Sequence, residues 1–156
     1  MRKIMAVLIL FFLIIIFLRC GTEECGGPAT ELPTPILHNI PMERFSPDVA
    51  ELDENGWFIK KNCTLASPAS VPSEATAIAI LASGSSCEEE WPLLDIYVDT
   101  QIAGSIRICS TEWGWYVIPI DNTIRGNELR ITFSNDRYTG SEDINIAIRK
   151  VVFLGV

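Results

Sequence analysis

Residues 129–149 read LRITFSNDRYTGSEDINIAIR, and they decide the fold. Leu129, Ile131 and Phe133 alternate with Arg130, Thr132 and Ser134; Ile144, Ile146 and Ile148 alternate with Asn145, Ala147 and Arg149. A period of two puts every second side chain on the same face of a strand, so each segment predicts a strand with one apolar and one polar face. The same period recurs upstream, where Tyr116, Ile118 and Ile120 alternate with Trp115, Val117 and Pro119. Apolar runs on either side of Asp99-Thr100 (93–99 and 101–108) predict a hairpin. Residues 76–82 predict a buried strand, residues 57–61 a first strand and residues 151–154 a closing one. Residues 66–73, interrupted by Pro68 and Pro72, predict an irregular connection. No stretch beyond residue 19 carries sustained helical periodicity with caps. About seven short strands in roughly 105 residues indicate an all-β chain folded as an antiparallel β-sandwich, expected over residues 51–156.

The chain has 156 residues, enough for one modest domain and its appendages. Its net charge is −8, from 12 basic and 20 acidic side chains. Residues 1–19 hold Arg2, Lys3 and Arg19, so the remainder carries 9 basic against 20 acidic groups, a net of −11. Phosphate backbones repel such a surface, because nucleic-acid binding relies on Lys and Arg to displace counterions. Nucleic acid is thereby excluded as a partner. His38 is the single histidine, which excludes His-rich zinc sites and catalytic schemes built on a His pair.

Much of the apolar content lies in the unbroken run Ile4 to Leu18. Arg2 and Lys3 followed by that run have the form of an export signal or membrane-anchor segment over residues 1–19. The run is short for a ~30 Å hydrocarbon core, which needs about 17–25 residues. Cys20-Gly21 follows Arg19, a placement that resembles a bacterial lipoprotein signal, although Arg19 and Phe17 depart from its usual residues. Lipid attachment at Cys20, an uncleaved short anchor and simple secretion are the three outcomes. All of them place the domain outside the cytoplasm, the first two at a membrane. The five cysteines (20, 25, 63, 87 and 109) suit that compartment, where disulfides persist. With Cys20 lipidated, the other four allow three pairings, and Cys87 with Cys109 is the first expectation. Pro28, Pro33, Pro35, Pro41 and Pro47 fall within 20 residues, so residues 20–50 are expected to form an extended, Pro-rich extracytoplasmic linker.

Chemistry is sought where acidic residues gather at strand ends. Asp136 falls just past one strand, and the loop 137–141 delivers Glu142 and Asp143 to the next. Two such clusters can converge on one point, and an oxygen-rich point is what a hard cation such as Ca²⁺ requires. A loop rich in Asn, Asp and Gly is, on its own, more often a plain turn. Glu88-Glu89-Glu90 is a further cluster, readable as a solvated loop or as another carboxylate for the same ion. Residues 84–143 hold 11 acidic and 4 basic residues, so most of the excess charge lies around these loops.

Glu90-Trp91-Pro92, Leu94, the strand end Tyr97-Val98-Asp99, Trp113-x-x-Tyr116, Phe133-x-Asn135-Asp136 and Glu142-Asp143-x-Asn145-Ile146 follow in order at short spacings. This set resembles the calcium-dependent, xylan-binding carbohydrate-binding modules of family 60, with family 36 as a relative. The resemblance spans roughly residues 76–156. It implies a jelly-roll type of β-sandwich, a bound Ca²⁺ that coordinates vicinal sugar hydroxyls, and an aromatic ring stacking nearby. It implies Asp136 and Asp143 as the first ion ligands, then Glu90, then Glu142. It also implies that Trp91 and Phe133 are core residues; Tyr116 reads the same way from its phase. The sequence departs from the family pattern at Ile144, where Arg is usual, and at residues 85–89, where glycines are usual. Candidate rings for a sugar are Tyr138 in the acidic loop, Trp115 on the face opposite Tyr116, and Trp113 near a strand end.

The expected function is non-catalytic, calcium-dependent binding of a polysaccharide, a xylan-like β-glycan, by a tethered or secreted module. The alternative is a structural or protein-interaction domain of a cell-envelope lipoprotein in which calcium only staples loops. An enzyme is not expected, because carboxylates gathered round a cation are held ionised and cannot serve as the general acid that glycoside hydrolysis requires.

Overall fold

A computed structural model describes residues 28–32, 35–47 and 49–155. Eleven strands are found there: β1 (Ile36–Ile40), β2 (Ser46–Pro47), β3 (Glu51–Asp53), β4 (Gly56–Ile59), β5 (Cys63–Ser67), β6 (Ala75–Gly84), β7 (Leu93–Val98), β8 (Gln101–Arg107), β9 (Gly114–Pro119), β10 (Leu129–Phe133) and β11 (Ile146–Gly155). Among the described residues the sole helical element is a 3-10 turn, Met42–Arg44. One sheet runs β3-β4-β11-β6-β9 with β1 also paired to β11; the other runs β2-β5-β10-β7-β8. Every strand pairing is antiparallel. The chain is an all-β, two-sheet antiparallel sandwich.

The alternating patterns bury the faces they predict. Tyr116 and Ile118 on β9, Leu129, Ile131 and Phe133 on β10, and Ile146 and Ile148 on β11 all point into one core between the sheets. β7 adds Leu94, Ile96 and Val98 to it. Trp57 enters the same core and satisfies its indole N–H by donating to Met42 O at 3.0 Å. A buried indole without such an acceptor would forfeit a hydrogen bond.

Two expectations about strand boundaries are corrected. The segments expected at 144–149 and 151–154 are one strand, β11, whose register on β6 shifts between Ile148 and Lys150. Beyond that bulge the alternation gives way to an apolar run, because both faces are covered. Val151 and Phe153 join the main core, while Val152 and Leu154 join a second cluster with Ala77 and Ala79 on the opposite face. The linker expected over residues 20–50 is also cut short. Residues 36–40 pair with β11, Ser46–Pro47 pair with β5, and Ile40 and Phe45 are buried in the main core. Pro35, Pro41 and Pro47 sit at the ends of these elements, where a missing N–H removes little.

The expectations for residues 1–19 and for lipid at Cys20 lie outside the described residues. Among the described residues, no helix is long and apolar enough to cross a membrane. The bridge expected between Cys87 and Cys109 is not formed. Cys87 is a buried free thiol whose Sγ lies 3.5 Å from Thr139 Oγ1, and Cys63 is a buried free thiol as well. Cys109 belongs to a disulfide that involves neither of them. Cys87 opens a tight turn whose pairing is with Glu90, so its side chain is turned into the core.

Candidate functional site

The loop from β10 to β11 is itself a small hairpin. Tyr138 bridges Asp143, Thr139 N–H donates to Glu142 O at 3.0 Å, and Ile144 N–H donates to Arg137 O at 2.9 Å. Gly140 takes φ +86° at the first central position of the tip, where a two-residue hairpin of this kind needs positive φ. Ser85, at the end of β6, clamps the far side of the loop. Its hydroxyl donates to Asp143 O at 2.6 Å and accepts from Asn145 N–H at 3.0 Å, and its own N–H donates to Asn145 O at 3.0 Å. On the near side, Asp136 N–H donates to Asn62 Oδ1 at 2.8 Å. Asn135 ties the loop to the Glu90-Trp91 segment: its Oδ1 accepts from Leu93 N–H at 2.7 Å, and its Nδ2 donates to Trp91 O at 2.9 Å and to Glu90 Oε1 at 3.2 Å.

This scaffold leaves Asp136, Asp143 and Asn145 with oxygens to spare. Asp136 Oδ1 and Asn145 Oδ1 are both buried and accept no hydrogen bond. Desolvation holds the Asp136 carboxyl above its ordinary range, the neighbouring Asp143 carboxylate pushes it further, and Lys61 pulls it partly back. A buried acceptor left unpaired costs about 1–3 kcal/mol, and two carboxylates in mutual repulsion add to that. A hard cation removes both penalties at once, since its ligands are ionised or carbonyl-type oxygens. The unpartnered oxygens suit a calcium ion, which Asp136, Asp143 and the amide oxygen of Asn145 would be the residues to hold.

The other two expected ligands have different partners. Glu90 Oε1 accepts from Asn135, and its Oε2 lies 3.6 Å from Arg137 Nη1. Glu142 Oε2 accepts from Glu88 N–H at 2.7 Å, and the Glu88 carboxylate pairs with Arg137 Nη2. Glu88 and Glu89 occupy the two central positions of the turn from Cys87 to Glu90, at φ 50° and 67°. Residues with a Cβ rarely adopt that conformation, and Glu142 and Arg137 brace the turn from outside. Among the described residues no three His, Cys, Asp or Glu side chains gather closely enough to hold a metal. The expected cage of four carboxylates is not assembled among the described residues; Asp136 and Asp143 are close enough to interact.

The expected sugar-stacking rings fare differently from one another. Tyr138 is 70% exposed, with its hydroxyl donating to Gly140 O at 3.0 Å. Trp113 is half-buried beneath the Arg149 guanidinium, 4.2 Å from its ring centre. Trp115 packs on the second apolar cluster, and its backbone exchanges two 3.0 Å hydrogen bonds with Ala29. Phe133 and Tyr116 are buried as expected, whereas Trp91 is only half-buried and lends its carbonyl to Asn135 and Arg107. A candidate not singled out in the sequence is Asn145, whose Oδ1 is buried without a partner. It stands inside the last motif, but an amide carries no charge to mark it. Ser85 and Asn62, which fix the backbone beside the ligands, carry no sequence signal beyond turn composition.

Residues 77–156 match the family CBM60, described as a Ca-dependent, xylan-binding carbohydrate-binding module. Among solved structures, similar folds include the CBM36-1 domain of a multidomain xylanase from the hindgut metagenome of Trinervitermes trinervoides. It is 10% identical, with a TM-score of 0.58 over 76% of this chain and 97% of that one. A CBM36 module in complex with calcium and xylotriose is 11% identical, with a TM-score of 0.52 over 75% and 99%. The low-affinity xylan-binding module CBM86 from Roseburia intestinalis is 13% identical, with a TM-score of 0.52 over 76% and 95%. No curated protein matches. At such identities the structural likenesses establish a shared sandwich, and the family match over half the chain establishes kinship. The chain belongs to the calcium-dependent, xylan-binding carbohydrate-binding module family CBM60.

Proposed function

We propose that this domain binds a xylan-like β-glycan without catalysis, through a calcium ion held by Asp136, Asp143 and Asn145. The observation that carries the reading is the buried, unpartnered Asp136 Oδ1 beside the Asp143 carboxylate, with a second such oxygen on Asn145 two residues beyond Asp143. Calcium, when bound, supplies a cationic centre to which neighbouring sugar hydroxyls can donate their lone pairs. The chain's own residues do the rest. Ser85 and Asn62 fix the backbone on either side of the ligands, so that little ordering is required on binding. Arg137 holds Glu88 and Glu90 apart from the ion, keeping their charge at the rim. Tyr138, exposed on the same loop, offers a ring to the apolar C–H face of a sugar.

The module works in an extracytoplasmic setting, exported by residues 1–19 and either lipidated at Cys20, anchored by the uncleaved segment, or released. The disulfide at Cys109 supports this placement, since such bonds persist in oxidising compartments. Isothermal titration of xylohexaose into the domain tests the function. Binding under saturating calcium that disappears in EDTA is expected; no heat of binding in calcium would overturn the reading.

A further inference from the structure

A cleft beside Asn145 has an aromatic wall. Phe58 on β4 stands opposite Ala147 on β11, which stands opposite Ser83 on β6, so the three form one row across the sheet. Their neighbours Trp57, Ile59, Ile146, Ile148 and Ala82 are buried in the core, so this row lies on the sheet's outer face. Ala147 and Ser83 are too small to fill it. The depression they leave is a cavity of about 360 Å³, lined by Phe58, Ala147, Ser83, Gly84, Ser85 and Asn145. Asn145 is the residue whose Oδ1 is left without a donor, and Ser85 is the clamp on Asp143. The cleft is thus bounded by an aromatic ring and by Asn145, one of the candidate ion ligands. Its volume falls in the range of small-molecule sites, roughly 300–1,000 Å³.

Phe58 is 37% exposed, a large apolar ring left open to solvent at the inner end of the cleft. Lys60 lies over the ring at 5.1 Å and, with Phe58, Lys61 and Glu51, lines a separate hollow. Lys60 does not line the cleft that ends at Asn145. An aromatic wall, a floor of small residues and a polar terminus match the amphipathic section of a sugar chain, whose C–H faces favour rings and whose hydroxyls favour oxygens and cations.

Resting on the glycan-binding reading above, we infer that Phe58 is a specificity-determining residue. It packs against one sugar of the chain while an adjoining sugar reaches the ion at Asn145, so the bound glycan lies along the outer face of the β4-β11-β6 sheet. Tyr138, Trp113 and Trp115 do not line this cleft.

Two quantities separate this inference from the reading beneath it: calcium affinity without sugar, and xylohexaose affinity at saturating calcium. Phe58→Ala is expected to lower xylohexaose affinity at least tenfold and leave calcium affinity within twofold, and Phe58→Trp is expected to restore the sugar affinity. Ala147→Leu, which fills the floor beside Phe58 while keeping the ring, should lower xylohexaose affinity by a similar factor; its melting temperature reports whether the fold is intact. Wild-type xylohexaose affinity retained in both Phe58→Ala and Ala147→Leu overturns the cleft while leaving calcium-dependent binding in place. Loss of calcium affinity in Phe58→Ala overturns it too, since the ring would then be supporting the ion site. Absence of any xylohexaose binding by the wild type overturns both readings together.

Discussion

Replacing Asp136 with Asn gives a result with two opposed signs. In the metal-free protein, Asp136 Oδ1 is buried without a donor and its carboxylate is crowded by Asp143. Asp136→Asn removes the repulsion and brings two N–H donors, so the metal-free domain should become more stable, by up to about 1 kcal/mol. Calcium binding should weaken 10–100-fold, the loss of about 1.4–2.8 kcal/mol expected when one ionised ligand becomes neutral. Linkage turns this into melting temperatures. At calcium 100 times the wild-type Kd, the wild type gains about 2.7 kcal/mol, whereas the variant, at only one to ten times its own Kd, gains about 0.4–1.4 kcal/mol. With roughly 4 °C per kcal/mol for a domain of this size, calcium should raise the wild-type Tm by about 10 °C and the variant's by about 2–6 °C. Differential scanning calorimetry in EDTA and in calcium reads all four values. A variant that melts lower than wild type in EDTA, and gains as much from calcium, would refute the site.

The same carboxyl sets a pH dependence. Its folded-state pKa is raised above 3.8, so the metal-free fold binds more protons than the unfolded chain just above that value, and metal-free stability falls as pH rises through the window. Calcium must displace that proton; its stabilising increment, full at neutral pH, should shrink as acid protonates Asp136, which melts at a series of pH values would show. Glu89→Gly should stabilise the domain by about 1 kcal/mol, because φ 67° costs a Cβ-bearing residue about 1–2 kcal/mol and glycine's extra chain entropy returns part of it; a lower Tm would show that the Glu89 side chain has a role. Cys63 and Cys87 should be inert to a thiol reagent in the folded protein and both react on unfolding, whereas immediate labelling would place them at the surface. Trp57→Phe should cost about 0.5–1.5 kcal/mol by urea melts, through the lost bond to Met42 O.

The strands with one wet face were legible because alternation reports a half-buried sheet. That is why residues 116–120, 129–134 and 144–149 read correctly to the side chain. β1 was not legible: ILHNI has no alternation, and four of its five residues remain exposed while only Ile40 reaches the core. The second half of β11 lost the pattern for the opposite reason, both faces being buried. The nearness of Asp136 to Asp143 was legible from charge and position. Glu90 and Glu142 looked equivalent to them in sequence, and only the fold shows Arg137 and the strained turn at Glu88-Glu89 engaging them. That turn also accounts for the departure at residues 85–89, since the backbone keeps a conformation suited to glycine although glutamates occupy it. Phe58 was hidden by adjacency: it follows Trp57 directly, and nothing local says which of two neighbouring rings faces inward. The partner of Cys109 was open to several pairings, and spacing cannot choose among them.

The position of β11 has a consequence for how the protein is made. β4 and β1 lie along one edge of this strand and β6 along the other, so three strands drawn from residues 36–84 all wait for residues 146–155. Until that segment has been synthesised, β4 and β6 have no common neighbour, and the sheet bearing the cleft has no middle. Pairings of such long sequence separation form slowly, because loop closure must precede any gain from contact. That sheet therefore closes only when nearly all of residues 28–155 are available, after the strands of its partner sheet have all been synthesised.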